Sequence, residues 1–445
     1  MKKQMTITVL LFLLLHLTAC SLYPADFQEN ETQPVTICVW ANVTWMKNFE
    51  IVQQNFNEQF KQQGIQVEIV NYDSSNSTEN LKLDTSLLAG RENIDVYFTY
   101  TTQSLSQRVD SGCALDLSAL CERDNFHLEE LFSSNVTKFY FNGKPYSVPT
   151  TIGKMGIILN KDMLDQAGFE VPTDWTFEEF QEMARALTKG EGENKVYGVY
   201  WNTNMNISEA LLHFVLPTLG GDPLYKEDGR ESNLDHPVIE QALNLINATM
   251  NEDLSAPTHI ESTTQKLSAE RMFFDGKCAM TVIAWLYNYI TDTETYPHDF
   301  VTAFAPWPVV ANDSRNYTQG SMGYNVSINP RSSYIDESWE FIKWFATEGN
   351  VPLISDAFIP SYTGISQGKV AEELLKNTDG LVDAESAVAL FLNPDNNLSI
   401  PVISYRINEV TACFNTAIEE VLVQKKDSRI ALAEAKAQAD ALLRS

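Results

Sequence analysis

The sequence predicts an α/β fold divided between two lobes, and three observations carry that expectation. Short apolar strand patterns alternate with amphipathic helix patterns from residue 35 onward, the signature of βαβ units around a parallel sheet. The 445 residues are too many for one simple core and comfortable for two lobes of ordinary size. Aromatic side chains recur at the carboxyl ends of the strand patterns, where ligands converge in open α/β sheets.

Order begins after a polar stretch, residues 21–34, that suits a tether. "VTICVW" (35–40) is a strand running into Ala41 and Asn42. A helix follows, because Trp45, Phe49, Val52, Phe56 and Phe60 recur at three- and four-residue intervals and share a face, with Gly64 as its stop. "IQVEIVNY" (65–72) is the second strand, "ENLKLDTSLLAG" (79–90) a helix capped by Gly90, and "IDVYFTY" (94–100) the third strand. "FNGKPYSVPT" (141–150) reads as a hairpin-like turn feeding an extended segment, and "GIILN" (156–160) as a strand. Thr176 and Glu179 form a capping box, and Phe177, Phe180, Met183 and Leu187 make the buried stripe of the helix it opens. "VYGVYWN" (196–202), "CAMTVIAW" (278–285) and "GYNVSI" (323–328) are further strands. Trp339, Ile342 and Phe345 mark a late helix. The chain from Arg406 onward is helical: Ile407, Val410, Phe414 and Val421 come first, then an Ala-rich stretch to Leu443.

Charge and motifs exclude several functions. A net charge of -28 argues against nucleic acid and against docking on an anionic bilayer through a basic patch. GxSxG, HExxH, GxGxxG and Walker patterns are absent, so no cofactor is expected. The six histidines are scattered singly, and no CxxC suggests a zinc site. Glu178 and Glu179 are adjacent on a helix, face different directions and cannot work as a glycosidase pair. Asp95 and Asp116 stand on separate segments, and the sequence leaves open whether they meet.

The N-terminus reads as an export signal: Met1-Lys2-Lys3 precedes an apolar run from Ile7 to Ala19, too short for a stable bilayer span. Leu17-Thr18-Ala19-Cys20 resembles a bacterial lipobox, which makes Cys20 the acylated first residue of the mature chain. Of the remaining cysteines, Cys38, Cys278 and Cys413 sit in apolar strings as small core residues. Cys113 and Cys121 are close enough in sequence for a loop-closing disulfide.

Four stretches carry a family resemblance. They are "IDVYFTYTTQSLSQRVDSGCALDLS" (94–118), "NGKPYSVPTTIGKMGIILNKDMLDQAGFEVPTDWTFEEF" (142–180), "FFDGKCAMTVIAW" (273–285) and "SWEFIKWFATEG" (338–349). Together these resemble the extracellular solute-binding proteins of carbohydrate-importing ABC transporters, in order from about residue 35 to the end. The resemblance implies a two-lobed, type II periplasmic-binding-protein-like α/β fold with a ligand cleft between lobes joined by crossing hinge segments. It places 34–149 and 322–360 in the first lobe and 150–321 and 361–445 in the second. It implies reversible capture of a sugar or oligosaccharide outside the cell and delivery to permease subunits. The chain would be a monomer held on the outer face of the membrane by acylated Cys20, and it would not be an enzyme. Two alternatives share the scaffold. One is a secreted enzyme, glycoside-hydrolysing or thiamine-cleaving, although the latter's nucleophilic cysteine is missing from Pro149-Thr150-Thr151-Ile152-Gly153-Lys154. The other is a sensor reporting to a histidine kinase.

A sugar presents apolar C–H faces and a rim of hydroxyls, so its site needs aromatic plates beside groups that donate and accept hydrogen bonds. The strand ends supply Trp40 with Asn42, Tyr100 with Thr101, Trp201 with Asn202, Trp285, and Ser321 with Tyr324. The family commonly places ligand contacts at the positions of Trp40 and Trp285. Thr151 follows Pro149 at the first crossing and is a candidate hydrogen-bonding residue. Trp45, Trp307 and Tyr362 are secondary candidates, whereas Trp175, Trp339 and Trp344 lie on helix stripes and belong to the core.

Overall fold

The computed structural model describes residues 33–444 apart from 44–47, 73–76, 91–92, 203–206, 227–228, 283–286, 311–316, 379, 393–396 and 400–405. Cys20, Trp45 and Trp285 lie outside the described residues. The strands are β1 (Val35–Ala41), β2 (Ile65–Asn71), β3 (Val96–Thr99), β4 (Val148–Lys154), β5 (Ile157–Asn160), β6 (Tyr197–Tyr200), β7 (Cys278–Thr281), β8 (Thr302–Ala305), β9 (Tyr317–Ile328), β10 (Ile359–Pro360) and β11 (Asn397–Ser399). They form two sheets. The larger runs β10-β4-β9-β3-β1-β2 with β11 also paired to β9, and the smaller runs β6-β7-β5-β8.

Each sheet is mixed. β1 pairs in parallel with β2 and β3, as strand-helix alternation predicts, but β9 runs antiparallel to both β3 and β4. In the smaller sheet β6 and β7 are parallel, while β5 is antiparallel to β7 and β8. The antiparallel strands are those that carry the chain between the sheets, a constraint that local periodicity does not encode.

Alternation along β1 sends Ile37, Val39 and Ala41 to one face of the larger sheet and Cys38 and Trp40 to the other. The first set joins Phe56, Phe98, Trp339 and Phe345 in the main core of that sheet. In the smaller sheet Ile157 and Leu159 pack with Phe180, Trp201 and Phe414, while Ile158 on the opposite face packs with Phe273, Phe304 and Phe391. That second cluster also takes in Ile359 of β10 and Ile354 just before it, so it links the two sheets.

Local sequence signals are realised closely. The Phe177–Leu187 helix carries its capping box: the Glu179 amide donates to Thr176 Oγ1 at 3.2 Å and the Thr176 amide to Glu179 Oε2 at 2.7 Å. Gly90 ends the Ser77–Ala89 helix at φ +60°. The C-terminal region is two helices, Ile407–Leu422 and Ser428–Leu443. The five described cysteines are all free, so Cys113 and Cys121 are not bridged. No helix among the described residues is long and apolar enough to cross a membrane.

The chain passes between the sheets from β4 to β5, from β8 to β9, and from β10 to the Gln367–Leu374 helix, whose Val370 and Leu374 pack in the core of the smaller sheet. The expected lobe limits at 149/150 and 321/322 therefore fall within β4 and β9, which stay paired in the larger sheet to Lys154 and from Gly320. Where the first two crossings meet, a Cβ on Gly156 would stand 2.4 Å from the Ala305 carbonyl oxygen, and only glycine allows that approach.

The last helix is fastened by Asp440, whose Oδ1 accepts the Ser232 amide (2.7 Å) and hydroxyl (2.8 Å) while Oδ2 pairs with Lys436 at 2.7 Å. Burial pushes this carboxyl up, but the bonds from Lys436 and Ser232 outweigh it and hold its pKa below the ordinary value. A depressed carboxylate adds stability above its unfolded pKa of about 3.9 and loses it as pH falls through the folded value. Urea midpoints should therefore drop for the native chain below about pH 4. Asp440→Asn should lower the midpoint at pH 7 and flatten that acid limb.

Candidate functional site

The carboxyl ends of β1 and β3 meet the crossing strands β4 and β9. Thr99 pairs with Asn325, and Pro149 pairs with the same residue, so Tyr100, Tyr324 and Thr150 converge just beyond the paired stretch. Tyr324 stands edge-on to Tyr100 (centroids 4.8 Å, 87°) and to Phe358 (4.6 Å, 88°). These three rings are half-buried and form an aromatic ledge. Behind it, Tyr100 contacts Tyr72 at 6.3 Å and Tyr72 contacts Trp40 at 6.3 Å, both of them buried. The larger sheet thus carries a chain of rings from its core to its edge.

Polar groups flank the ledge. The Asn42 amide donates to Tyr100 Oη at 2.6 Å, which fixes the ring against the end of β1. The Val43 amide donates to Asn71 Oδ1 at 3.0 Å and secures the same turn. Tyr72 Oη donates to the Phe98 carbonyl at 2.7 Å. Thr151 is 5% exposed and lies opposite Gly323 on β9 and Pro360 on β10. Burial raises the pKa of Tyr72, Tyr100 and Tyr324 far above the usual phenol value, so all three stay neutral across the physiological range.

The structure brings together Asn42, Tyr100, Thr151 and Tyr324 among the sequence-predicted residues and sets others apart. Trp40 is 4% exposed on the face covered by the Ser77–Ala89 helix, with Lys82 Nζ 5.5 Å from its ring and no partner for its Nε1 among the described residues. Trp201 is fully buried, donates to Thr249 Oγ1 at 2.9 Å, and packs on Phe214 at 4.8 Å, so its plate belongs to the core of the smaller sheet. Thr101 is exposed, and its hydroxyl accepts the Ser104 amide at 3.1 Å as the N-cap of the Thr102–Asp110 helix. Ser321 is placed by backbone pairing with Gly153, and Trp285 lies outside the described residues. Of the secondary candidates, Trp307 is buried against His213 and Phe214, and Tyr362 is half-buried beside Phe132. Asp95 and Asp116 do not pair: Asp95 accepts the Cys38 amide and the Ser332 hydroxyl, while Asp116 caps Ser118 and binds Lys144.

Tyr72 and Phe358 were not foreseen. Tyr72 ends the "IQVEIVNY" strand and follows the same strand-end rule as Tyr100. Phe358 has no periodic signal, because a short 3-10 turn, Val351–Asp356, delivers it.

Residues 44–352 match the bacterial extracellular solute-binding protein family. This chain belongs to that family. Its fold is shared with solved structures at low identity. A sugar transporter protein from Rhizobium etli in an open conformation is 18% identical, with a TM-score of 0.73 and coverage of 92% of this chain and 99% of that one. An ABC substrate-binding protein from Listeria monocytogenes in complex with cycloalternan is 18% identical, with a TM-score of 0.71 and the same coverage, 92% and 99%. A maltose-bound protein from T. maritima is 20% identical, with a TM-score of 0.68 and coverage of 92% and 99%. These neighbours give the solute-binding protein a two-lobed α/β architecture.

A separate cavity of about 530 Å³ lies beside β8, lined by Met155, Phe169, Pro172, Phe304, Trp307 and Leu390 among others. Of the predicted ligand-site residues it contains only the secondary candidate Trp307, so the ledge, which gathers four of them, is the candidate ligand site of the solute-binding protein.

Lys154, at the end of β4 where the first crossing begins, is half-buried, and burial lowers its pKa to about 8. Reductive ¹³C-methylation followed by NMR titration should show one dimethyl-lysine signal moving near pH 8, well below the others. Lys154→Arg should remove that signal.

Proposed function

We propose that this solute-binding protein captures a sugar or oligosaccharide outside the cell and delivers it to the permease of an ABC importer. The observation that carries this reading is the half-buried ledge of Tyr100, Tyr324 and Phe358 beyond the ends of β1 and β3, flanked by Asn42 and by Thr151 of β4. Aromatic faces cover the apolar side of a pyranose, and neutral phenol, amide and hydroxyl groups satisfy its rim. The phenols are protonated at physiological pH and burial raises their pKa further, so they present neutral hydroxyls to an uncharged polyol. Trp285, next to the strand end of β7, is proposed as the plate offered by the second lobe.

The lobes are proposed as 34–149 with 322–360 and 150–321 with 361–445. Ligand contacts with both lobes would supply the differential affinity that favours closure. Cys20, acylated, would hold a monomeric chain on the outer face of the membrane through residues 21–33, since two or more acyl chains anchor stably where one does not.

Enzymatic readings find little support. A nucleophilic cysteine needs a depressed pKa, whereas burial pushes Cys121 up to about 11 and raises Cys113, Cys278 and Cys413 as well. No group of three or more His, Cys, Asp or Glu among the described residues is disposed to hold a metal.

A thermal-shift screen of the chain lacking residues 1–20 against mono- and oligosaccharides tests the reading. A true ligand at a hundredfold excess over its Kd adds about 2.7 kcal/mol of stability and raises Tm with concentration. If no carbohydrate moves Tm, sugar capture is wrong. With the identified sugar, Tyr324→Ala and Trp285→Ala should each weaken binding by about tenfold or more, a loss of about 1.4 kcal/mol. Trp201→Ala should instead lower stability by about 3–5 kcal/mol. Full-strength binding by both ligand-site variants would move the site elsewhere. Cys20→Ser should release the protein from cells into the medium, and retention on the membrane would rule out the lipid anchor.

A further inference from the structure

We propose that Thr150 is the pivot of the solute-binding protein, a positioning residue that locks all three crossing segments together and sets the ring of Tyr324 in the ledge. Thr150 is fully buried on β4. Its hydroxyl donates to the Tyr324 carbonyl on β9 at 2.9 Å. Its own carbonyl accepts two bonds, from the Ser361 amide just past β10 at 3.1 Å and from Asn350 Nδ2 at 3.0 Å. The preceding carbonyl, of Pro149, accepts the Ser361 hydroxyl at 2.6 Å. One residue therefore ties the first, second and third passages between the sheets.

The backbone at this point is strained. Tyr324 has φ +48° inside a strand, a left-handed conformation that disfavours every residue with a Cβ. The β4–β9 register is interrupted there: Pro149 pairs with Asn325 and Thr151 with Gly323, while Thr150 and Tyr324 are joined by the side-chain bond instead of a regular pair. The kink separates a stretch that belongs to the larger sheet (Val148–Pro149 with Asn325–Val326) from one that leads to the smaller sheet (Thr151–Lys154 with Gly320–Gly323). It also turns the Tyr324 ring between Tyr100 and Phe358.

A second side chain secures the node from the larger-sheet side: Asn350 Nδ2 donates to the Thr150 carbonyl at 3.0 Å. Asn350 is fully buried. The pivot is thus held by one hydroxyl and by one carbonyl with two donors. Rotation of the lobes about Thr150 and Tyr324 changes the setting of a ledge ring directly, so ligand contact and closure share one residue.

This inference rests on the two-lobe closure proposed above, and its test needs no ligand. Thr150→Val keeps the shape and removes the hydroxyl, and Thr150→Ser restores it. Hydrogen exchange by mass spectrometry on the ligand-free protein should show at least about tenfold faster exchange in Thr150→Val, confined to peptides covering 148–154, 320–326 and 358–362. Peptides from β1 and β2 should be unchanged, and Thr150→Ser should return to native rates. Small-angle X-ray scattering should show a larger radius of gyration for Thr150→Val than for the native and Ser forms. Unchanged exchange, or a uniform increase across all peptides, overturns the pivot and leaves Thr150 as ordinary core. If Thr150→Val does not fold, Asn350→Ala removes the second donor alone. The same confined pattern is then expected, and its absence overturns the proposal. A failed sugar screen with confined exchange would sink the carbohydrate reading only, whereas a successful screen with unchanged exchange would sink the pivot only.

Discussion

The antiparallel pairing of β4 with β9 is the constraint on which the rest of the molecule depends. These strands belong to the larger sheet, and their far ends deliver the chain to the smaller one. β9 spans 12 residues and is held by β3, β4 and β11, so it is the most heavily paired strand among those described. Its register fixes which residues of β3 and β4 stand beside Tyr324, and thereby where the ledge forms. Gly156 belongs to the same constraint, because the close approach of the first two crossings leaves no room for a Cβ. The candidate site and the architecture are therefore set by one ladder of hydrogen bonds.

Much of this was legible in the sequence where the signal is local. The Thr176–Glu179 box, the Phe177–Leu187 stripe, the Gly90 cap and β1 all follow from short-range rules, and the structure realises each of them. The core assignments of Trp175, Trp339 and Trp344 follow from helical spacing in the same way, and all three are buried. The family motifs between 142 and 180 extended that legibility to the two-lobed plan. Sheet order, and the antiparallel course of β9, depend on contacts hundreds of residues apart and leave no local trace.

The residues of the candidate ledge were half legible, for a physical reason visible in their placement. An aromatic at a strand end can face a ligand or a core, and one step along the strand reverses which. Tyr100 follows β3 and stands on the ledge, whereas Trp201 follows β6 and drops into the core beside Phe180 and Phe214. Trp40 alternates with Ile37 and Val39, and that parity sends it beneath the Ser77–Ala89 helix. Thr101 obeyed a different rule, since a threonine ahead of a helix is claimed by the backbone amides it caps. Phe358 and Asn350 were invisible because an irregular turn carries them to the site.

The charge distribution gives the arrangement its final logic. The chain carries a net charge of -28, while the phenols of the ledge are neutral, with pKa values that burial raises further above the ordinary phenol value. A strongly acidic exterior repels an anionic bilayer surface as well as other copies of the chain. On the proposed anchoring, acyl chains at Cys20 hold the chain at one point only, and the repulsion keeps the body from resting on the bilayer surface within a Debye length, roughly 8–10 Å. The cleft is then presented to the medium, and an uncharged sugar enters without meeting an electrostatic barrier. An anionic solute would meet one at every approach. The composition that excluded nucleic acid at the outset thus also favours the kind of ligand that a neutral aromatic ledge can hold.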